Sequence, residues 1–316
     1  MPTLICGSLA YDTLLTFQDS FHKHILPDQL ERLSVCFMVP QLRKEFGGCA
    51  GNIAYTLKQL GDDPLILATA GEDFEPYHHH LTRHGIRTEG IRTIAGHYTA
   101  QCFITSDRDN NQITAFHPGA MQFATLNHAG ESQGVDLAIV APTGYEANLQ
   151  QSRELAAAGI PFIFDPGQEL PLFSRDELLD LIEMADYIAV NAYEAELLRE
   201  RTGLSPERIA QRVQAMIVTA GAHGSTIYTT DQQYPIEAVT VPDAVDPTGC
   251  GDAYRAGLLY GIKHQLDWTT TGRLASLLGA IKVASRGGQN HYLDWPMLRT
   301  RFEQAFGHAW PCTEGA

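Results

Sequence analysis

Asp246-Pro247-Thr248-Gly249-Cys250-Gly251-Asp252-Ala253-Tyr254-Arg255-Ala256-Gly257 is a glycine turn that runs straight into a helix of small residues. Glycines at 249 and 251 let bare backbone approach a ligand, and a helix starting there aims unpaired N–H groups and the positive end of its dipole at that ligand. This is the composition of an anion site. Asp252 stands where such a dipole would hold a phosphate, well placed to take a proton from an attacking hydroxyl. For the G-x-G taken alone, a tight loop entering a packed helix is the alternative.

Outward from this stretch, short runs rich in Val, Ile, Leu and Phe alternate with helical patterns. The strand-like runs are Thr3 to Cys6, Pro64 to Thr69, Val135 to Val140, Pro161 to Phe164, Tyr187 to Val190 and Ala215 to Thr219. Helices are expected over Ala50 to Leu60, Glu146 to Ala157, Ser174 to Met184, Tyr193 to Arg201, Asp252 to Lys263 and Trp268 to Ala284. This alternation predicts an α/β fold: a mainly parallel sheet with helices on both faces. Residues 13–46 and 91–117 break the rhythm with alternating patterns such as Thr99, Gln101, Phe103 and Thr105 and a turn at Asp107 to Asn111. They predict β-hairpins that form a small sheet over one edge of the main one. No repeat or long linker interrupts the chain, so residues 1–316 are expected to form one domain with a discontinuous β-lid at about 13–46 and 91–117.

Three further loops carry chemistry. In Phe46-Gly47-Gly48-Cys49-Ala50-Gly51-Asn52 the glycines admit a ligand to the backbone, and Asn52 can donate and accept at once, which suits vicinal hydroxyls; a local Asn cap is the alternative. Asn191 and Glu194 share one face of a first helical turn beyond a strand, where they could hold a hydrated Mg²⁺ or phosphate oxygens; an ordinary capping box is the competing reading. The run Thr219-Ala220-Gly221-Ala222-His223-Gly224-Ser225 reads as a second phosphate or nucleotide loop, or as a simple turn.

Composition narrows the function. The 316 residues are 44% hydrophobic and 19% charged, with a formal net charge of −15, which leaves no global field for nucleic acid or an anionic membrane. Met1 to Asp12 has neither the basic flank nor the apolar run of a signal peptide, and no apolar stretch is long enough to span a bilayer. The six cysteines, at 6, 36, 49, 102, 250 and 312, form no C-x-x-C pair. Reduced thiols in a cytoplasmic protein are expected. G-K-[ST], H-E-x-x-H and G-x-S-x-G are all absent, which removes P-loop, zincin and serine-hydrolase signatures. His78-His79-His80 looks metal-like, but consecutive helical residues point in different directions. Arg255 lies one turn from Asp252, placed equally for an ion pair or a phosphate contact.

Taken together, Gly47-Gly48-Cys49-Ala50-Gly51-Asn52 and Asp246 to Asp252 resemble the two signatures of the ribokinase (PfkB) family of carbohydrate kinases. Gly7-Ser8-Leu9-Ala10-Tyr11-Asp12, Asn191-x-x-Glu194 and the Thr219 loop follow in family order, so the similarity covers nearly the whole chain. Within the family the chain is most similar to bacterial adenosine kinases, notably at Gln112 to Ala120, Asp246 to Gly261 and Gln289-Asn290-His291. Ala10 supports this, because kinases of free ribose tend to carry Asn there. Pro247 and Cys250 depart from the commoner Asp-Thr-Thr-Gly-Ala-Gly-Asp without touching glycines or carboxylates.

The resemblance implies a ribokinase-like three-layer α/β/α fold and an ATP- and Mg²⁺-dependent kinase acting on the 5′-hydroxyl of adenosine. Another nucleoside, ribose or fructose is the alternative acceptor, and a non-catalytic nucleotide or sugar sensor the last. It assigns Asp252 as the base and the N–H groups of Gly249, Cys250 and Gly251 as the anion hole. Asp12, Gly48 and Asn52 grip the acceptor, while Asn191, Glu194, Thr219, Gly221 and Gly224 serve ATP and, indirectly through Glu194, Mg²⁺. Asp246 and the Thr248 carbonyl stand where many relatives bind a monovalent cation such as K⁺, with further carbonyls expected near Ser285 to Gly288. The expected partners are small molecules, and the chain is a monomer or homodimer. Phe103 and Phe116 are expected to pack inside the lid, with a dimer seam as the alternative.

Overall fold

The computed structural model describes residues 1–25, 31, 34–109 and 111–311. Residues 26–30, 32 and 33 of the expected lid, Asn110 of its turn, and Cys312 lie outside the described residues.

Thirteen strands are present among the described residues: β1 (Thr3–Cys6), β2 (Ala10–Thr16), β3 (Gln41–Gly47), β4 (Pro64–Ala70), β5 (Ile91–Thr93), β6 (Ala100–Ser106), β7 (Gln112–His117), β8 (Leu137–Val140), β9 (Phe162–Phe164), β10 (Tyr187–Asn191), β11 (Ala215–Thr219), β12 (Ser225–Tyr228) and β13 (Gln233–Ile236). Nine form one sheet in the order β13-β12-β11-β10-β9-β8-β1-β4-β5, parallel except at β12 and β13. The helices are α1 (Cys49–Gln59), α2 (Glu75–Arg83), α3 (Tyr145–Ala158), α4 (Arg175–Met184), α5 (Ala192–Thr202), α6 (Pro206–Ile209), α7 (Cys250–Lys263), α8 (Trp268–Val283) and α9 (Trp295–Phe306).

Strand pleating sorts the side chains into two cores. Ile5, Ile66, Ile139 and Ala189 pack with α1, α2, α7, α8 and α9 on one face. Leu4, Cys6, Leu67, Val140 and Val190 pack with α3, α4, α5 and α6 on the other. Burial on both faces is why these central strands are apolar at nearly every position, and it yields three layers. The seam between α7 and α8 is close because residue 257 is glycine: a Cβ there would stand 2.5 Å from the Cα of Ala275. Ser174 caps α4 as expected, its hydroxyl accepting the Glu177 N–H within a capping box.

The second sheet has the order β3-β2-β6-β7, two hairpins joined by the parallel pair β2–β6. It differs from expectation in three ways. Its first strand begins at Ala10, so Asp12 lies inside it. Ile91–Thr93 belongs instead to the main sheet, paired parallel to β4, because a helix crossover from β4 returns the chain to that edge. Phe103 and Phe116 are 40% and 51% exposed, so they do not form a lid core. Phe103 pairs with Ala115 and Phe116 with Cys102, so the two rings stand on opposite faces of the sheet, and β7 is exposed along its whole length at the sheet edge. The expected helices leave out α2 and α9, and the antiparallel edge β12–β13 is also missed, whereas Ser205-Pro206-Glu207 does mark the start of α6.

Candidate active site

The acceptor side of the site is built where the small sheet meets the carboxyl end of β1. Ser8 ties this end to α1: its hydroxyl accepts the Cys49 N–H and its carbonyl the Ala50 N–H. Gly48 caps α1, and Asn52 occupies the first turn, buried. Asn52 Nδ2 donates to Asp252 Oδ2 at 2.8 Å, joining the two glycine loops across 200 residues. Asn52 Oδ1 accepts from Gln289 Nε2 at 3.1 Å, and Gln289 is held in turn by Tyr77 Oη (2.5 Å) and His80 Nε2 (3.1 Å). Tyr77 donates to the Gly47 carbonyl at 2.7 Å. Asp12 reaches over Gly47, where a Cβ would lie 2.3 Å from its Oδ2.

Asp252 makes Asp12 costlier to ionise, and Asp165 does the same to Asp252. Burial first, then the charges of Asp252, Asp246 and Glu45, push Asp12 up to about 6. Burial also pushes Asp252 up to about 6, against the Asn52 hydrogen bond and the positive charges of Arg255 and Lys282. Both carboxylates therefore titrate near neutrality, the range suited to a base.

On the other side of the α7 start lies a cavity of about 520 Å³. Its walls come from the Thr219, Gly221 and Gly224 loop, the 238–241 strap, Pro247, Cys250 and Gly251, and the small residues Ser276, Gly279 and Ala280 of α8. The first turn of α7 thus separates the two compartments: Gly251 lines the cavity while Asp252 faces Asn52. Gly249 permits the turn with φ +77°. The Cys250 N–H closes that turn on the Pro247 carbonyl at 3.1 Å, a correction to its expected place in the anion hole. The N–H groups of Gly251 and Asp252 stand at first-turn positions that have no helical acceptor. Burial pushes the Cys250 thiol up to about 11, which disfavours its thiolate.

Filling the cavity from α8 should separate its occupant from the acceptor. On the expectation that this cavity takes ATP, Ala280→Phe should raise the KM for ATP by about tenfold, equivalent to about 1.4 kcal/mol, while the KM of the acceptor stays unchanged. Initial-rate kinetics with each substrate varied in turn checks this.

Asn191 and Thr219 are register partners at the carboxyl ends of β10 and β11. Asn191 caps α5: its Oδ1 accepts the Glu194 N–H at 2.8 Å, and Glu194 Oε2 accepts the Asn191 N–H at 2.7 Å. The capping box foreseen as the competing reading is therefore present, and it fixes the Glu194 carboxylate at the sheet edge. Burial raises the Glu194 pKa, with Asp165 adding to the effect and Arg255 opposing it. With Oε2 committed to its cap, the other carboxylate oxygen of Glu194 is the one that could meet a hydrated Mg²⁺ through water once ionised.

Arg255 resolves as an ion pair. Its guanidinium grips Asp165 through Nε (3.1 Å) and Nη2 (3.0 Å), and Nη2 also donates to the Ala189 carbonyl. Both side chains are under a tenth exposed.

At the expected monovalent-cation site a lysine ammonium already sits on two main-chain carbonyls. The Asp246 carboxylate accepts the Thr248 and Gly287 N–H groups, each at 2.9 Å. The Asp246 and Ser285 carbonyls are taken by Lys282 Nζ, at 2.8 and 3.0 Å. Lys282, Gln289 and Tyr77 are the site residues whose roles the sequence reading misses. The one available signal for Lys282 is a lysine inside the otherwise apolar and small run Gly279-Ala280-Ile281-Lys282-Val283. The three consecutive histidines point apart on α2; His80 bonds Gln289 and His78 bonds Thr88, and no metal-binding cluster is found among the described residues.

A carboxylate at a helix start, with a polar cleft on one side and a glycine-walled cavity on the other, defines a phosphotransferase of the α/β class. Residues 27–295 match the pfkB family of carbohydrate kinases, and the chain belongs to that family. It is a kinase with an alcohol group as acceptor. A nucleoside kinase of Methanocaldococcus jannaschii is 31% identical over 269 residues, 84% of this chain and 88% of that protein. The structure of Burkholderia thailandensis nucleoside kinase in complex with inosine superposes with a TM-score of 0.89 at 52% identity, covering 97% of this chain and 99% of that one. A ribokinase of Thermotoga maritima, 18% identical with a TM-score of 0.77 and 96% and 99% coverage, shares the fold. No helix among the described residues is long and apolar enough to cross a membrane.

Proposed function

We propose that the chain transfers the γ-phosphoryl group of ATP to the 5′-hydroxyl of a purine nucleoside, giving the nucleoside monophosphate and ADP. The observation that carries this is the placing of Asp252 against Asn52 on one side of the α7 start and of the cavity on the other. Kinship supports the nucleoside: the Burkholderia relative is described with inosine, and also with ADP-inosine. Adenosine is the acceptor we propose from the sequence, and inosine the second.

In this reading Asp252 accepts the 5′-hydroxyl proton as the new O–P bond forms and the bond to the β,γ-bridging oxygen breaks, releasing ADP. Asn52 holds Asp252 in line and is itself oriented by Gln289. Asp12, an acceptor when ionised, takes ribose hydroxyl donors, and the Gly48 loop gives the sugar backbone access. Thr219, Gly221 and Gly224 receive the nucleotide, while Gly251 and Asp252 N–H groups meet the transferring phosphoryl, where fixed dipoles count most. Asn191 and Glu194 would hold Mg²⁺ through water, and the ion would supply charge neutralisation to the phosphates. The small sheet carries Asp12 onto the acceptor and excludes water, so that ATP is not hydrolysed. We place the enzyme in the cytoplasm, as a monomer or as a homodimer paired through the exposed small sheet.

Phosphate transfer from Mg-ATP should be measured with adenosine, inosine, guanosine, pyrimidine nucleosides, ribose and fructose side by side. The highest kcat/KM on adenosine or inosine is expected. Transfer confined to a free sugar would overturn the nucleoside assignment and leave the chemistry in place.

A further inference from the structure

Lys282 has its whole side chain out of solvent, and burial lowers the pKa of its ammonium against the opposing charges of Cys250, Asp246 and Asp252. It lies in the last turn of α8, where a cation is favoured by the helix dipole. Its Nζ donates to two main-chain carbonyls, those of Asp246 and Ser285. Among the described residues no carboxylate forms an ion pair with it. The nearest acid by sequence of contacts, Asp246, turns its two carboxylate oxygens onto the N–H groups of Thr248 and Gly287 instead. An ammonium held by carbonyl oxygens alone is ligated as a free alkali or ammonium ion would be.

The two carbonyls belong to the loop entering α7 and the loop leaving α8. The Asp246 carboxylate crosses the same gap in the opposite sense, from one loop to the Gly287 N–H of the other. Cation and carboxylate thereby fasten both loops together directly before Gly249, whose missing Cβ faces the Cα of Gly288 at 3.2 Å. Gly288 in turn lies under Asn52: a Cβ there would be 2.2 Å from Asn52 Oδ1. The positions of the α7 start and of the Asn52 amide both depend on this clamp.

We infer that the Lys282 ammonium is the built-in replacement for a monovalent cation beneath the phosphoryl-transfer loop, so that the enzyme needs no K⁺. Lys282 is a positioning residue: it acts through the 246–249 backbone and does not touch the reacting atoms. The inference rests on the phosphoryl-transfer reading of that loop but not on the identity of the acceptor.

Two measurements test it. Turnover and thermal melting of the unaltered protein, followed at equal ionic strength in potassium, sodium and tetramethylammonium chloride, should be indistinguishable. Stimulation by K⁺ over tetramethylammonium, or a K⁺-specific rise in melting temperature, would overturn the inference. Melting needs no acceptor, so this arm stands even where the nucleoside assignment fails. Lys282→Ala is expected to lose about tenfold or more in kcat, as for a charge-assisted hydrogen bond removed from a buried pair of acceptors. K⁺ or ammonium should restore kcat and raise the melting temperature of that variant, and tetramethylammonium should do neither. A folded Lys282→Ala protein indifferent to every small cation in both readouts would reduce Lys282 to an ordinary core residue and sink the proposal. If the variant does not fold, the cation profile of the unaltered protein decides.

Discussion

Asp252→Asn is expected to lower turnover by about two orders of magnitude or more, with the fold intact, because the acceptor hydroxyl loses the group that takes its proton. The amide keeps an oxygen for the Asn52 Nδ2 donor, so the 2.8 Å link between the two loops has no geometric reason to break. Stability should move the other way. The folded pKa of Asp252, about 6, lies above its ordinary 3.8, so its ionisation favours the unfolded chain as pH rises through that window. Above pH 6 the neutral asparagine removes this burden, and the variant should melt no lower than the parent at pH 8. Loss of turnover together with a large drop in melting temperature would mean that Asp252 is structural. The parent enzyme adds a second check. Asp12 also titrates at about 6, and both carboxylates must be ionised to work, so kcat/KM should fall below pH 6 with a limb steeper than one proton produces. Asp12→Asn should return that limb to one proton's slope.

Arg255→Met should destabilise the protein by about 3–5 kcal/mol, the cost of leaving a buried partner charge uncompensated. Asp165 is 6% exposed, and the fork from Arg255 holds both of its carboxylate oxygens. Arg255→Lys should recover only part of the loss, since a point charge cannot reproduce the two-pronged geometry. Arg255→Met with Asp165→Leu should recover most of it, because no charge is then stranded. Urea denaturation of the four proteins measures all three effects. Arg255 also holds the Asp252 pKa down, so any Arg255→Met enzyme that survives should show its acid limb at higher pH. A loss of less than about 1 kcal/mol in Arg255→Met would show the pair to be solvated, as exposed pairs are.

The strands that form the middle of the main sheet were legible because both of their faces are buried, which leaves unbroken apolar runs such as Leu65-Ile66-Leu67-Ala68. Edges were not. β5 has three residues and β13 holds a proline, so their local patterns resemble loops. The small sheet was foreseen from its alternation, but not its junction with the main sheet, since pairing of β2 with β6 joins segments about 90 residues apart. At the site, Asp252, Asn52, Asp12 and the glycines announce themselves by residue type. Tyr77, Gln289 and Lys282 do not, because nothing local distinguishes a tyrosine or lysine that packs in a core from one that holds a neighbour in register.

The sequence by itself determined the layered α/β class, the family and the residue types of the chemistry, since each is written in short-range periodicity and in glycine and carboxylate spacing. Tertiary structure alone decided which of those groups touch. It made Arg255 a buried ion-pair partner rather than a phosphate ligand, turned the Cys250 N–H onto Pro247, and set the Lys282 ammonium on the Asp246 and Ser285 carbonyls, the second of which was expected to await a metal ion. These outcomes depend on contacts between positions 36 to 90 residues apart, or on which of several local acceptors lies nearest. Such choices are made by the packing of helices on the sheet, where burial forces every polar group to find a partner.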